Sequence, residues 1–211
     1  MNPSVFVLVS GGIDSVFLIL KLLNDGYNVS AGYCEIQNNT IKTRSELRAL
    51  SLISEQIKRL FPNTFTYHGT IVSADNKSTY RSGISYRQVP YLIQALILSP
   101  IADYRALAYV SGDSSIKNLD KIKAAYNGFK GIHYGFFPKL IFPLKNTTKA
   151  QILEYMEKYY SNILDHCVFC EYPDKDNLRA CGDCTPCTRM MSIASEIKQS
   201  NAQFNDQLST N

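Results

Sequence analysis

Two stretches of this chain gather residue types that do chemistry. The first is Ser-Gly-Gly-Ile-Asp-Ser at positions 10–15, set between the apolar run Val5–Val9 and an apolar segment, Val16–Leu23. Gly11 and Gly12 allow a sharp bend and close approach of backbone to a ligand, and Ser10 and Ser15 add hydroxyl donors. A polar turn that opens a helix points its amide N–H groups along the helix dipole, which makes an anion site. Asp14 is placed to cap that helix. The string is neither the Walker-type phosphate loop nor the dinucleotide fingerprint. A bare Gly-Gly pair after a strand is ordinary turn chemistry; the strand before it and the helix after it give this one its mechanical sense.

The second stretch, HCVFCEYPDKDNLRACGDCTPCTRM, holds Cys167, Cys170, Cys181, Cys184 and Cys187, five of the six cysteines. Crowding of this kind in a reducing compartment favours a metal over disulfides. Two-residue spacers let both members of a pair reach one ion, and Gly182 and Pro186 suit the tight turns of a knuckle. Tetrahedral zinc takes four thiolates or imidazoles. Spacing leaves two sets open: Cys167 and Cys170 with Cys181 and Cys184, or Cys170, Cys181, Cys184 and Cys187 with Cys167 spare. An iron–sulfur cluster is open to the same ligands. Cys34 lies alone in an apolar run and reads as core.

The elements that must position these groups alternate strand and helix. Strands are expected at Val5–Val9, Tyr27–Ile36, Thr64–Val72 and Arg105–Asp113, with a further short one at the start of KLIFPLKNTTKAQILEYMEKY. Helices are expected over 14–24, 42–60, 89–98 and 117–126, after a cap at Thr147 or Thr148, and over 188–199. The second carries Leu47, Leu50, Ile53, Ile57 and Leu60 at three- and four-residue spacing, and Pro62 ends it. This order argues for an α/β fold, a doubly wound and mostly parallel sheet, with a zinc knuckle after it. Ligands of such sheets bind at the carboxyl ends of the strands, where the turns 10–15 and 111–114 both fall.

Composition bounds the rest. A chain of 211 residues, 45% hydrophobic and 19% charged, suits one domain with a small appendage. A net charge of +4 is too mild to argue for nucleic acid and fits an enzyme handling anions. With no apolar run of about 18 residues, and with neither a basic leader nor a cleavage site in MNPSVFVLVSGG, neither a membrane span nor a signal peptide is expected, so a cytoplasmic location is the default.

SGGIDS resembles the fingerprint of the PP-loop ATP pyrophosphatases, also called adenine nucleotide alpha-hydrolase-like enzymes. These cleave ATP between the α and β phosphates and adenylate a carboxylate or carbonyl oxygen. The resemblance implies ATP, with magnesium, as co-substrate. It implies that Ser10, Gly11, Gly12, Asp14 and Ser15 hold the pyrophosphate end and that the stretch from Tyr33 to Glu35 faces adenine. VSGD, with Gly112 and Asp113, falls where such enzymes have a glycine turn near the α phosphate. FPLKNTTKAQI is similar to a further family segment; Lys149 there is either a solvated lysine or a contact to a phosphate or to developing negative charge, and with Asp14 and Asp113 it makes the catalytic set.

CGDCTPCTRM resembles the tail of the 7-cyano-7-deazaguanine synthase family, with Arg189 one position early, and SYRQVPYLIQALIL is similar to that family's Arg-Asn segment, with Gln88 in place of the asparagine. That implies structural zinc on Cys170, Cys181, Cys184 and Cys187, and Arg87 at the nucleotide or purine. A PP-loop domain is expected over 1–164 with a zinc segment over 165–200 packed on it, the polar SNAQFNDQLSTN makes 201–211 a disordered tail, and the resemblance implies a homodimer. The expected reaction joins ATP, ammonia and 7-carboxy-7-deazaguanine into the nitrile, with no direct nucleic-acid partner. Phe169, Tyr172, Tyr134 and Arg87 are the candidates to read the purine. The chain departs from the family after Gly112: SGDSSIKNLDKIKAAYNGFKGIHYG keeps only Asp113 and Asp120 where the family has an acidic, cysteine-containing stretch. The departure opens an alternative, an enzyme that stops at the amide or joins the activated carboxylate to another amine, even one on a protein.

Overall fold

The computed structural model describes residues 2–37, 39–74 and 88–209, with side chains described as far as 197. The order is β1 (Ser4–Leu8), α1 (Ile13–Asn24), β2 (Asn28–Ile36), α2 (Thr40–Leu60), β3 (Phe65–Ala74), α3 (Val89–Leu98), β4 (Tyr104–Ala106), α4 (Leu119–Asn127), β5 (Lys139–Ile141), α5 (Lys149–Tyr159), α6 (Ser161–Leu164) and α7 (Thr185–Ser209). The strands form one sheet in the order β3-β2-β1-β4-β5, and every neighbouring pair is parallel. This is an α/β fold with helices on both faces.

β1 explains the layering. Its residues alternate between faces, so Val5 and Val7 enter one core while Phe6 and Leu8 enter the other. The first core gathers α1, α2, α5 and the buried Ile197 of α7. The second gathers α3 and α4. α1 is buried at nine positions because it lies under both the sheet and α5. A strand order of 3-2-1-4-5 sends the chain away from β1 and β4 in opposite directions, and the crevice at that switch point is where such sheets bind ligands.

Several expectations need correction. The fourth strand keeps only Tyr104–Ala106, because β1 ends at Leu8 and β5 at Ile141, leaving the residues to 113 little to ladder with. The last helix starts at Thr185 and runs to Ser209, longer at both ends than expected. In α2 the buried stripe is Thr43, Ser45, Ala49, Leu50, Ile53 and Ile57, whereas Leu47 and Leu60 are exposed. Leu47 sits at the edge of the stripe, and Leu60 is the helix's final residue. Among the described residues, no helix is long and apolar enough to cross a membrane.

Candidate functional site

The turn after β1 is built from three devices. Gly11 has φ +76°, a left-handed conformation that suits glycine, and Gly12 is the extended N-cap residue of α1. Gly11 is also hemmed in, since an added Cβ would lie 3.2 Å from Ala49 Cβ and 3.3 Å from Val168 Cγ2. The Ser15 hydroxyl turns inward, donating to the Gly12 carbonyl at 3.0 Å and accepting from the Ser10 N–H at 3.4 Å. Ser15 therefore shapes the loop from beneath. The first-turn amides of α1 have no partner within their own helix, as at every helix start.

Asp14 does not cap α1, as the sequence suggested; Gly12 occupies that position, and the Asp14 side chain reaches across to α5. There Thr148 and Gln151 form a reciprocal capping box, which fixes Lys149 as the first helical residue. Its Nζ donates to Asp14 Oδ2 at 2.5 Å. The pair answers the cost of a cation at a helix N-terminus. Burial raises the Asp14 carboxyl above its ordinary value, with Lys149 pulling the other way. Asp14 Oδ1 is buried with no hydrogen-bond partner among the described residues.

A second turn, after β4, faces the first. Gly112 has φ +86°, and Asp113 Oδ2 accepts from the Val110 N–H at 3.0 Å, closing the turn. Arg189, from α7, lies 3.8 Å from Asp113 Oδ1. Asp113 and Arg189 lie near enough to Asp14 for their charges to act on its carboxyl in opposite directions.

Two cavities open there. One, of about 290 Å³, is lined by Ser10, Gly12, Asp14 and Ser15 on one side and by Tyr33, Cys34, Ile36, Leu107 and Tyr109 on the other. The Tyr109 hydroxyl is buried without a partner among the described residues, and burial pushes its pKa up to about 12. The Cys34 thiol is likewise pushed up to about 12 by burial. The other cavity, of about 210 Å³, lies between the loop, Lys149 and the cysteine segment, with Phe169, Cys170 and Pro186 in its wall. Lys42 and Glu46 of α2 line both. Tyr33 donates to Glu46, whose carboxyl is raised by burial, and the phenol of Tyr33 is raised for the same reason.

The cysteine segment is docked on the loop, with Val168 N–H donating to the Gly11 carbonyl at 2.9 Å. The Sγ atoms of Cys170, Cys181, Cys184 and Cys187 all lie within 4.8 Å of one another. Measured pairs are 3.3 Å (Cys184 to Cys187), 3.9 Å (Cys184 to Cys170) and 4.0 Å (Cys181 to Cys187). A tetrahedral zinc with bonds of about 2.3 Å needs sulfurs roughly 3.8 Å apart, so this set fits one ion. The Cys181 N–H donates to Cys170 Sγ and the Cys184 N–H to Cys181 Sγ, contacts that favour thiolates. The geometry decides between the two sets left open by spacing. Cys167 stays outside the cluster with its thiol on the Ile163 carbonyl, and burial holds its pKa at about 12.

Comparison with known proteins adds little. No family model and no curated protein matches the chain. The solved structures it is similar to include a protein described as a "predicted subunit of tRNA methyltransferase" from Methanocaldococcus jannaschii, at 15% identity and TM-score 0.45 over 75% of this chain and 76% of that one. Another is the NMN synthetase of Francisella tularensis, at 16% identity and TM-score 0.36 over 86% and 71%. A third is the UDP-glucose 4-epimerase of Bifidobacterium longum, at 12% identity and TM-score 0.27 over 95% and 49%. Likenesses this slight carry no argument about chemistry.

Of the residues singled out in the sequence, Ser10, Gly12, Asp14 and Lys149 meet at one cavity, whereas Gly112 and Asp113 line neither of the two, Asp113 pairing with Arg189 and acting on Asp14 only through its charge. Phe169 lines that cavity, whereas Tyr134 and Tyr172 are exposed and line neither of the two. Arg87 lies outside the described residues. Sequence reasoning missed Lys42, Glu46 and Tyr109. Lys42 and Glu46 stand four apart, which marks one face of a helix but not which cavity that face meets.

Proposed function

We propose that this protein is an ATP-dependent carbon–nitrogen ligase of the PP-loop ATP pyrophosphatase superfamily, converting 7-carboxy-7-deazaguanine and ammonia into 7-cyano-7-deazaguanine. One observation carries the reading. First-turn amides of α1, the Lys149 ammonium and the Asp14 carboxylate, whose Oδ1 has no hydrogen-bond partner among the described residues, come together beside a cavity at the switch point of the sheet. Amides and an ammonium suit the outer phosphates of a nucleotide. The Asp14 carboxylate would hold the magnesium that accompanies them, which would lower the repulsion between an attacking anion and the phosphates. The apolar side of the larger cavity, with Tyr33, Cys34 and Leu107, suits a purine. Cys170, Cys181, Cys184 and Cys187 would hold zinc in a structural role, since four thiolates leave no open position.

In this reading the substrate carboxylate attacks the α phosphorus, the bond to the β phosphate breaks, and pyrophosphate leaves from the loop. Lys149 and the amides offset the charge that develops on the leaving group. Ammonia attacks the acyl carbon and displaces AMP, giving the amide with loss of a proton. The amide oxygen then attacks the α phosphorus of a second ATP, pyrophosphate leaves again with one amide proton, and departure of AMP with the other leaves the nitrile. Incubation with ATP, ammonia and the acid, followed by mass analysis, tests this sequence. Nitrile with pyrophosphate is the expected result. Amide alone assigns the enzyme that stops one step earlier, and the absence of acid-dependent pyrophosphate release overturns the activation chemistry.

A further inference from the structure

The wall between the two cavities carries a lysine that the reaction above leaves without a task. Lys42 lines both cavities, and its Nζ donates to Glu171 Oε2 at 2.6 Å. Glu171 belongs to the cysteine segment. Its N–H points to Cys184 Sγ at 3.5 Å, and its carbonyl accepts from Asn39 Nδ2 at 2.9 Å. Asn39 works with both ends of its amide, because its Oδ1 also caps α2 by accepting from the N–H groups of Ile41 and Lys42. Lys42 is thus aimed from two sides, by its own helix cap and by the thiolate cluster.

The two lysines of the smaller cavity differ in how replaceable their partners are. Lys149 is held by Asp14, with side-chain exposures of 17% and 22%. The partner of Lys42 is twice as open, at 44%, so Glu171 can yield to another carboxylate without stranding a buried charge. A charge-assisted pair in a partly closed cleft is worth more than one on an open surface.

We propose that Lys42 reads the carboxylate of the acid substrate and that Glu171 holds its place until the substrate arrives. The inference rests on the acyl-activating function above and names the residue that selects an acid over its uncharged analogues. When the acid binds, its carboxylate replaces Glu171 on the Lys42 ammonium, and the Glu171 side chain turns to solvent. The acid then lies in the cavity shared by the loop and Lys149, beside the phosphates that the loop would hold.

Calorimetric titration of the full chain with three probes tests this: 7-carboxy-7-deazaguanine, its 7-carboxamide and pyrophosphate. Wild type should prefer acid to amide by roughly tenfold or more. Lys42→Met should lose that preference while its amide and pyrophosphate affinities stay within about twofold, and Lys42→Arg should keep most of it. Glu171→Gln should bind the acid several-fold more tightly, because the internal competitor is gone. Zinc content and thermal midpoint, measured on each variant, exclude loss of fold. A Lys42→Met protein that keeps the acid preference, or a Glu171→Gln protein that binds acid less well, overturns the proposal and leaves the pair as a brace. Pyrophosphate binding without binding of either acid or amide sinks this inference and the deazaguanine assignment but not the phosphate loop. Failure of pyrophosphate alone sinks the loop, and the acid–amide comparison still decides Lys42.

Discussion

Replacing Gly11 with alanine strikes the loop where backbone and packing coincide, and the structure gives the size of the effect. At φ +76° an L-residue bears a cost of about 1–2 kcal/mol. The new methyl would also meet Ala49 Cβ at 3.2 Å and Val168 Cγ2 at 3.3 Å, inside the ordinary carbon–carbon contact of about 3.5–4.0 Å. Neither neighbour is a free side-chain end: Ala49 Cβ rides on the backbone of α2, and Val168 is β-branched and bonded through its N–H to the Gly11 carbonyl. Overpacking of this kind costs about 1–3 kcal/mol. Gly26 supplies the control, with φ +85° but nothing within 4 Å of an added Cβ. Both substitutions stiffen the unfolded chain equally, a gain of about 0.4–1 kcal/mol. At about 2–4 °C per kcal/mol for a chain of this size, Gly26→Ala should lower the thermal midpoint by roughly 2–4 °C and Gly11→Ala by roughly 5–10 °C. Scanning calorimetry of the two variants beside wild type reads the difference. Equal midpoints, or a smaller loss at Gly11, would refute the packing of the cysteine segment on this turn.

Three further outcomes follow from the charges and thiols. Glu46 has a folded pKa raised above its ordinary value of 4.5, so between the two values the folded state holds a proton the unfolded chain has released. Stability therefore falls as pH rises through that window, and Glu46→Gln should lose less than wild type when denaturant midpoints are compared from pH 4 to pH 8. Lys149→Met removes the cation from a largely buried Asp14, which should cost about 1–3 kcal/mol by denaturant titration and lower acid-dependent pyrophosphate release by roughly a hundredfold. Cys170→Ser should lose bound zinc by elemental analysis while Cys167→Ser keeps it; the reverse pattern would reinstate the set that includes Cys167.

Much of this was legible in the chain because the signals were local. The buried run at β1, the glycines of the following turn and the Thr148–Gln151 capping box each announce a backbone conformation from neighbouring residues. The cysteine spacing announced a group able to hold a metal but not its membership, since Cys167 and Cys187 are each separated from the nearest thiol by two residues. In the fold Val168 docks on Gly11, the Cys167 N–H donates to the Leu164 carbonyl, and the Cys167 thiol points to the Ile163 carbonyl, away from the other sulfurs. β4 is shorter than its apolar run suggests because strand length depends on neighbours rather than on a strand's own residues. Asp14 was read as a cap because its partner lies far along the chain, on α5. Lys42, Glu46 and Tyr109 were invisible for the same reason. Their significance comes from which cavity they face, a property of the assembled layers.

The central claim is that the turn at 10–15 binds the phosphates of a nucleotide. Amide chemical shifts of the labelled protein during titration with pyrophosphate test it directly. The account predicts saturable shifts confined to residues 10–15, to Lys149 and to the turn at Gly112, all with one affinity. Unmoved resonances in that turn, with or without shifts elsewhere, would contradict it.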